Sequence, residues 1–373
     1  MSEMKFYKFN SSNSLVNLSN SILKRFNVKP DHETIKQVDD LLRFSNKVVL
    51  LLFDGMGKSQ IDKHLNENSF LSHMPKIEID SVFPPTTVAA TNSLLAAKFP
   101  IETGWLGWCS YFKEKDTILD MFSGKESYGD QVYVGLPQEK VGYKNIIERI
   151  KEVNPEMYCD SFWPSFSFHN GCSNLDNFIS SISNALYDKQ ECFIYGYWDN
   201  PDHLTHDNGV NSILVKDSIN NIDKSLEKLC SENKDTLFIV IADHSLIDAK
   251  YIVLDQYPEF IDLIKRPFSL EPRCASFFIK EGKDVEFKET FNRLFGEHFL
   301  LLSKEEALSR KIFGEGNEHP FVEETLGDYI AISLDEYTFI YHYNEEETLM
   351  IAHHAGGTKE ETQLYMYLIK FAR

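Results

Sequence analysis

Three short runs of the chain are apolar after their first residue: KVVLLLF at 47–53, ECFIYGYW at 191–198 and TLFIVIA at 236–242. A strand covered on both faces reads this way, because neither alternating set of side chains meets water. KIEIDSVF (76–83) alternates and predicts another strand, which Pro84 and Pro85 break. The alanine- and leucine-rich VAATNSLLAAK (88–98), and the apolar spacing of 144–153, 175–188 and 211–230, predict helices. Strands alternating with helices imply an α/β fold: a mostly parallel central sheet with helices on both faces. Beyond residue 250 the periodicity breaks at prolines and glycines. A single catalytic domain over 1–373, with a small inserted cap at approximately 255–345, is therefore expected. GDYIAISL (327–334) and YTFIYHY (337–343) predict strands, KEETQLYMYLIKF (359–371) a closing helix.

Ligands of such sheets gather outside the carboxyl ends of the strands. The first apolar run stops at Asp54 and a glycine turn, the last at Asp243-His244. The middle run enters YGYWDNPDHLTHDNG (195–209), where Asp202 and His206 stand four apart and share a face if the stretch is helical. A carboxylate and an imidazole so placed can chelate one ion, and a zinc site then needs a third protein ligand. His353 or His354, in IAHHAGGTKEE (351–361), can supply it. The same segment also reads as a turn with Thr358 as N-cap and Glu361 completing a capping box. Asp199, His203 and Asp207 read as surface or supporting groups. Thr86 and Thr87 precede the helix from 88, whose unpaired N–H groups and dipole favour an anion; plain helix caps are the competing reading.

Composition narrows the chemistry. With 42% hydrophobic and 25% charged residues the chain is a soluble globular protein, and no stretch reaches the ~20 apolar residues of a membrane span. The amino terminus lacks a basic segment leading into an apolar core, so a cytoplasmic location is expected. Six scattered cysteines, without a CxxC pair, read as reduced thiols. A formal charge of −19 repels nucleic-acid duplexes and acidic membranes, so phosphate chemistry here requires a local cation.

Asp54 after VVLLLF, FPPTTVAAT, YWDNPDHLTH, VIADH and HHAGGTKEE, in that order from about 47 to 361, resemble the alkaline phosphatase superfamily. Within it the motifs are most similar to the type I phosphodiesterases and nucleotide pyrophosphatases. The resemblance implies two divalent ions, usually zinc, one held by Asp202, His206 and His354, the other by Asp54, Asp243 and His244. It implies Thr87 as nucleophile, through a phosphothreonine intermediate, and a small phosphorylated substrate such as a nucleotide. Manganese or iron would suit the same donors.

Thr86, Asn92, Trp105 and Trp108 are the candidate substrate contacts; ordinary packing of the aromatic stretch GWLGWCSYF (104–112) is the alternative for the two indoles. Two positions depart from the family's pattern. Ala90 stands where vertebrate-type members carry an asparagine for a phosphate oxygen, and Ala355 where they carry a glycine. Other activities of the same core are a phosphomonoesterase, a phosphonoacetate-like phosphonate hydrolase and a metal-dependent phosphomutase. A non-catalytic metal-stabilised binding module is the reading from another class. A sulfatase would need Cys or Ser in place of Thr87.

Overall fold

The computed structural model describes residues 5–165, 171–341 and 348–371. Its central sheet uses the apolar runs. The elements that position the site are β1 (Lys47–Phe53), β2 (Lys76–Asp80), α1 (Thr87–Ala96), β3 (Tyr158–Phe162), β4 (Cys192–Trp198), α2 (Asp202–Asn208), β5 (Thr236–Ile241) and β6 (Gln363–Ile369). The six strands lie in the order β2-β6-β5-β1-β4-β3. β5, β1, β4 and β3 are mutually parallel, and β6 runs antiparallel to both its neighbours. Helix Leu15–Arg25 packs on α1, and helices Leu175–Leu186 and Ile213–Glu232 pack together, so helices flank the sheet. β1, β4 and β5 are almost wholly buried, which is why their sequences show no polar face.

Register then levels the strand ends. Phe53 pairs with Trp198 and Leu52 with Ile241, so Asp54, Asp199 and the Asp243-His244 pair leave the sheet along one edge.

The carboxyl-terminal segment is a correction. Only Lys359–Thr362 is helical; the rest is β6, inserted between β2 and β5. From Leu364 to Ile369 every residue is buried, so both faces of QLYMYLI are covered and neither a helical nor an alternating period is visible.

A second, antiparallel sheet orders the strands Phe299–Ser303, Tyr329–Ser333, Cys274–Phe277, Ser269–Glu271, Cys109–Phe112 and Thr117–Asp120. It has its own phenylalanine-rich core, including Phe277, Phe291 and Phe339. Strand Tyr337–Ile340 pairs in parallel with Lys250–Val253; residues 342 and 343 of the expected strand lie outside the described residues. The segment expected as a cap thus supplies four strands of this sheet, while the other two come from 109–120. All six cysteines are buried, and none forms a disulfide among the described residues. No helix among the described residues is long and apolar enough to cross a membrane.

Candidate active site

At the end of β1 the chain turns through Gly55, whose φ of +72° lies in the left-handed region, and the Gly55 N–H donates to Asp243 Oδ1 at 3.1 Å. A β-carbon there would stand 2.8 Å from Asp202 Cα, so only glycine lets the two acidic segments touch. The Asp202 N–H donates to the Asp54 carbonyl at 2.9 Å across the same contact. One turn along α2, His206 Nε2 stands 3.3 Å from Asp202 Oδ2. His206 Nδ1 lies 2.8 Å from the Ala352 carbonyl; donation to that oxygen leaves Nε2 with a lone pair facing the site.

Two groups of donor atoms result. One atom from each of Asp202, His206 and His354 falls within 4.8 Å of the others, and the same holds for Asp54, Asp243 and His244. The rings of His244 and His354, one from each group, stack with centroids 3.9 Å apart. Between the two histidines of 353–354, His353 faces away to the Tyr251 hydroxyl at 2.7 Å from its Nε2. Thr87, the first residue of α1, places Oγ1 3.2 Å from Asp54 Oδ2 and 3.2 Å from His244 Nε2.

The electrostatics of these groups fit cations. Asp202 Oδ1, Asp243 Oδ2 and His354 Nδ1 are buried with no hydrogen-bond partner among the described residues. A buried polar atom left unpaired costs about 1–3 kcal/mol, and more when charged, so three orphans in one place point to a ligand for them. Burial drives Asp243 well above the usual carboxylate range, with Asp54 and Asp202 adding repulsion. Burial opposes charge on His244 too, but the carboxylates of Asp243 and Asp54 outweigh it and raise the group to about 10. His354 moves the other way, pushed well down by burial and by His244. Clustered carboxylates and imidazoles, with a cation taking the place of the proton that His244 otherwise holds, are the donor chemistry of divalent zinc.

The remaining sequence candidates are placed differently. Thr86 occupies the N-cap position of α1, yet its side chain makes no cap bond and instead donates to Glu271 Oε1 at 2.7 Å. Asn92 is buried in α1, donating to the Val88 carbonyl and accepting from the Tyr143 hydroxyl at 2.6 Å. Trp105 is buried in an apolar cluster with its indole N–H on the Val141 carbonyl, which is ordinary packing. Trp108 is 47% exposed and meets Phe122 edge to face at 5.7 Å. His203 and Asp207 face solvent as a loose pair. Asp199 accepts from the Asn200 amide at 3.2 Å. Ala355 takes a φ of +78°, a conformation costing an alanine about 1–2 kcal/mol where the family's glycine would pay nothing.

Three supporting residues escaped the sequence reading. Tyr197, on buried β4, donates its hydroxyl to Asp54 Oδ2; the signal available was a tyrosine on a strand that ends at the site. Arg273 and Glu361 form a fully buried ion pair at 2.8 Å beneath the 353–358 loop. Glu361 also accepts from the Gly356 N–H and the Thr358 hydroxyl, so its carboxylate anchors that loop instead of closing the expected capping box. Thr358 itself does cap, accepting from the Glu361 N–H. Arg273→Leu leaves Glu361 buried and unpaired, and is expected to cost about 3–5 kcal/mol in chemical denaturation.

Glu271 is the third. Burial pushes its carboxyl up to about 7, against the lowering pull of the Thr86 and Trp108 hydrogen bonds. A carboxyl raised on folding contributes stability that is full below its unfolded value near 4.5 and is lost as pH rises through 7. Glu271→Gln should therefore gain on the wild type, by on the order of 3 kcal/mol between pH 4.5 and 8, in urea unfolding of metal-free protein. A difference that does not change with pH would show that Glu271 ionises normally.

Comparison with known proteins places this arrangement. Residues 48–359 match the type I phosphodiesterase / nucleotide pyrophosphatase family. No curated protein sequence matches. The fold is similar to that of murine ectonucleotide pyrophosphatase / phosphodiesterase 5, at 18% identity over 86% of this chain and 87% of that one, with a TM-score of 0.64. An inactive threonine-to-alanine variant of that murine protein has been solved in complex with AMP. The human counterpart superposes at 17% identity over 87% and 88% of the two chains, TM-score 0.65. Phosphonoacetate hydrolase from Sinorhizobium meliloti 1021, in complex with phosphonoacetate, does so at 12% identity over 88% and 91%, TM-score 0.64. Since the family match spans β1, both groups of donors and Thr87, the chain belongs to the type I phosphodiesterase / nucleotide pyrophosphatase family of phosphoric ester hydrolases.

Proposed function

We propose that the protein hydrolyses a small phosphoric diester or pyrophosphate, such as a nucleotide, with Thr87 as nucleophile and two divalent ions as cofactors. The observation that carries this reading is Thr87 Oγ1 at 3.2 Å from both Asp54 and His244, two members of one donor group, whose His244 ring stacks on His354 of the other. Asp54, Asp243 and His244 would hold one ion and Asp202, His206 and His354 the other, with zinc favoured by the mixed imidazole and carboxylate donors. When bound, such ions supply Lewis acidity that neutralises phosphoryl oxygens and activates hydroxyl groups.

The chain does the rest. Thr87 Oγ1 attacks phosphorus; the new Oγ1–P bond forms as the bond to the leaving oxygen breaks, and the proton given up by the hydroxyl ends on that leaving oxygen. Water then cleaves the phosphothreonine, restoring the hydroxyl and releasing the phosphoryl product. Amide N–H groups in the first turn of α1, left without a side-chain cap, point their dipole at the phosphoryl oxygens. Tyr197 and the Gly55 N–H keep the Asp54 and Asp243 carboxylates in place. The murine relative's inactivation by a threonine-to-alanine change, and its complex with AMP, support a threonine nucleophile and a nucleotide-sized substrate.

The test is turnover of bis(p-nitrophenyl) phosphate, p-nitrophenyl phosphate and phosphonoacetate by zinc- or manganese-loaded protein. Preference for the diester is expected. Strong preference for the monoester or for phosphonoacetate would replace the diesterase reading with that activity, and no turnover on any would favour a binding module.

A further inference from the structure

The start of α1 holds an unused cap. Thr86 has the extended backbone of an N-cap residue, φ −140° and ψ 149°, and a hydroxyl of the preferred kind, yet that hydroxyl does not reach the first-turn N–H groups. It donates instead to Glu271 Oε1, and the Trp108 backbone N–H donates to the same oxygen, each at 2.7 Å. Glu271 comes from the other sheet, at the end of strand Ser269–Glu271, and is buried. The strand bends to deliver it. Leu270, a bulky buried residue, is held at φ +74°, and Gly107 lies so close that a β-carbon would meet the Leu270 backbone at 3.0 Å. A leucine in the left-handed region persists only where its surroundings impose it.

We propose that Glu271 is a positioning residue that draws the Thr86 hydroxyl away from α1, keeping the first-turn N–H groups open for the phosphoryl oxygens of the substrate at Thr87. The proposal rests on the phosphoryl-transfer reading above. A capping hydroxyl and a substrate oxygen compete for the same donors, so a free Thr86 would close the helix start just where the substrate must bind. Glu271 touches neither substrate nor nucleophile; it acts through Thr86.

Removing Glu271 therefore has an unusual signature. In Glu271→Ala, and in Glu271→Met, which fills the space better, Thr86 is free to cap. Amide hydrogen exchange at Val88 and Ala89 in metal-free protein should slow about fivefold, the factor a typical cap represents, and kcat/KM for bis(p-nitrophenyl) phosphate should fall about as much. Adding Thr86→Val to either variant should restore both to within twofold. A purely structural role for Glu271 predicts the reverse: faster exchange, and a double variant no better than the single, which would overturn the proposal. If neither Glu271 variant folds, Thr86→Val alone decides. Exchange at 88–89 unchanged from wild type supports a diverted hydroxyl, and exchange about fivefold faster overturns it. Thr87→Ala is assayed alongside: failure of the phosphoryl-transfer reading shows as turnover that survives this change or is missing in wild type, while the exchange pattern still judges Glu271.

Discussion

Thr87→Ala is expected to lower turnover of bis(p-nitrophenyl) phosphate by about 10³-fold or more, with metal content and folding unchanged. The size follows from what the hydroxyl does. Phosphate esters resist uncatalysed hydrolysis more than almost any other substrate, and a covalent route divides that barrier between two steps. On the proposed mechanism, removing the nucleophile would return the whole barrier to direct attack by water, while bound cations and amide donors would keep their share of catalysis, so activity should fall steeply without vanishing. Thr87 is only partly buried and its side chain is not a core element, so truncation to alanine, a better helix former, should leave α1 intact. The measurements are steady-state kinetics, metal analysis and thermal unfolding on the same preparation. Acid quench of the wild type with a ³²P-labelled diester should trap label on Thr87 and none on the variant. A variant within tenfold of wild type, with no trapped phosphothreonine, would move the nucleophile elsewhere.

Some of this site was readable in the sequence because the chemistry sits where periodicity ends. Asp54 and Asp243-His244 follow fully apolar strands, and parallel register alone brings such strand ends to one edge. The four-residue interval from Asp202 to His206 needed only one helical turn, which α2 provides. What stayed hidden depends on contacts across the chain that leave no local pattern. Glu271 meets Thr86 from 185 positions away, at the end of a three-residue strand. Arg273 looks like an ordinary surface charge, and Glu361 like a helix-capping residue, until β6 is known to lie inside the sheet. That strand was misread because the capping residues at 358–361 are real but begin a helix of a single turn. The second sheet was missed for a related reason: CSYF and CASF are short, wholly buried strands without alternation.

Stripping divalent metal from the protein is expected to abolish diester hydrolysis and to lower the unfolding midpoint by several degrees, and Asp243→Asn should stabilise the metal-free form while shrinking the gain that metal brings. Asp54 and Asp243 are buried and Asp202 nearly so, a concentration of negative charge that a low-dielectric interior tolerates only with a counter-cation. Ligand binding at a thousandfold excess over its dissociation constant stabilises a fold by about 4 kcal/mol, and this is lost with the metal. Without metal, burial and the neighbouring carboxylates raise Asp243, so folding favours its protonated form. A carboxyl raised in this way costs stability as pH rises above its unfolded value near 4. Asparagine copies the protonated shape at every pH. Metal-free Asp243→Asn should therefore unfold later than metal-free wild type at pH 8, and zinc should stabilise the variant far less than it stabilises the wild type. Thermal scans with and without zinc, paired with turnover, read both halves. If asparagine destabilised the metal-free protein as much as the loaded one, or left zinc binding and hydrolysis intact, Asp243 would be a structural residue and the donor groups would need another purpose.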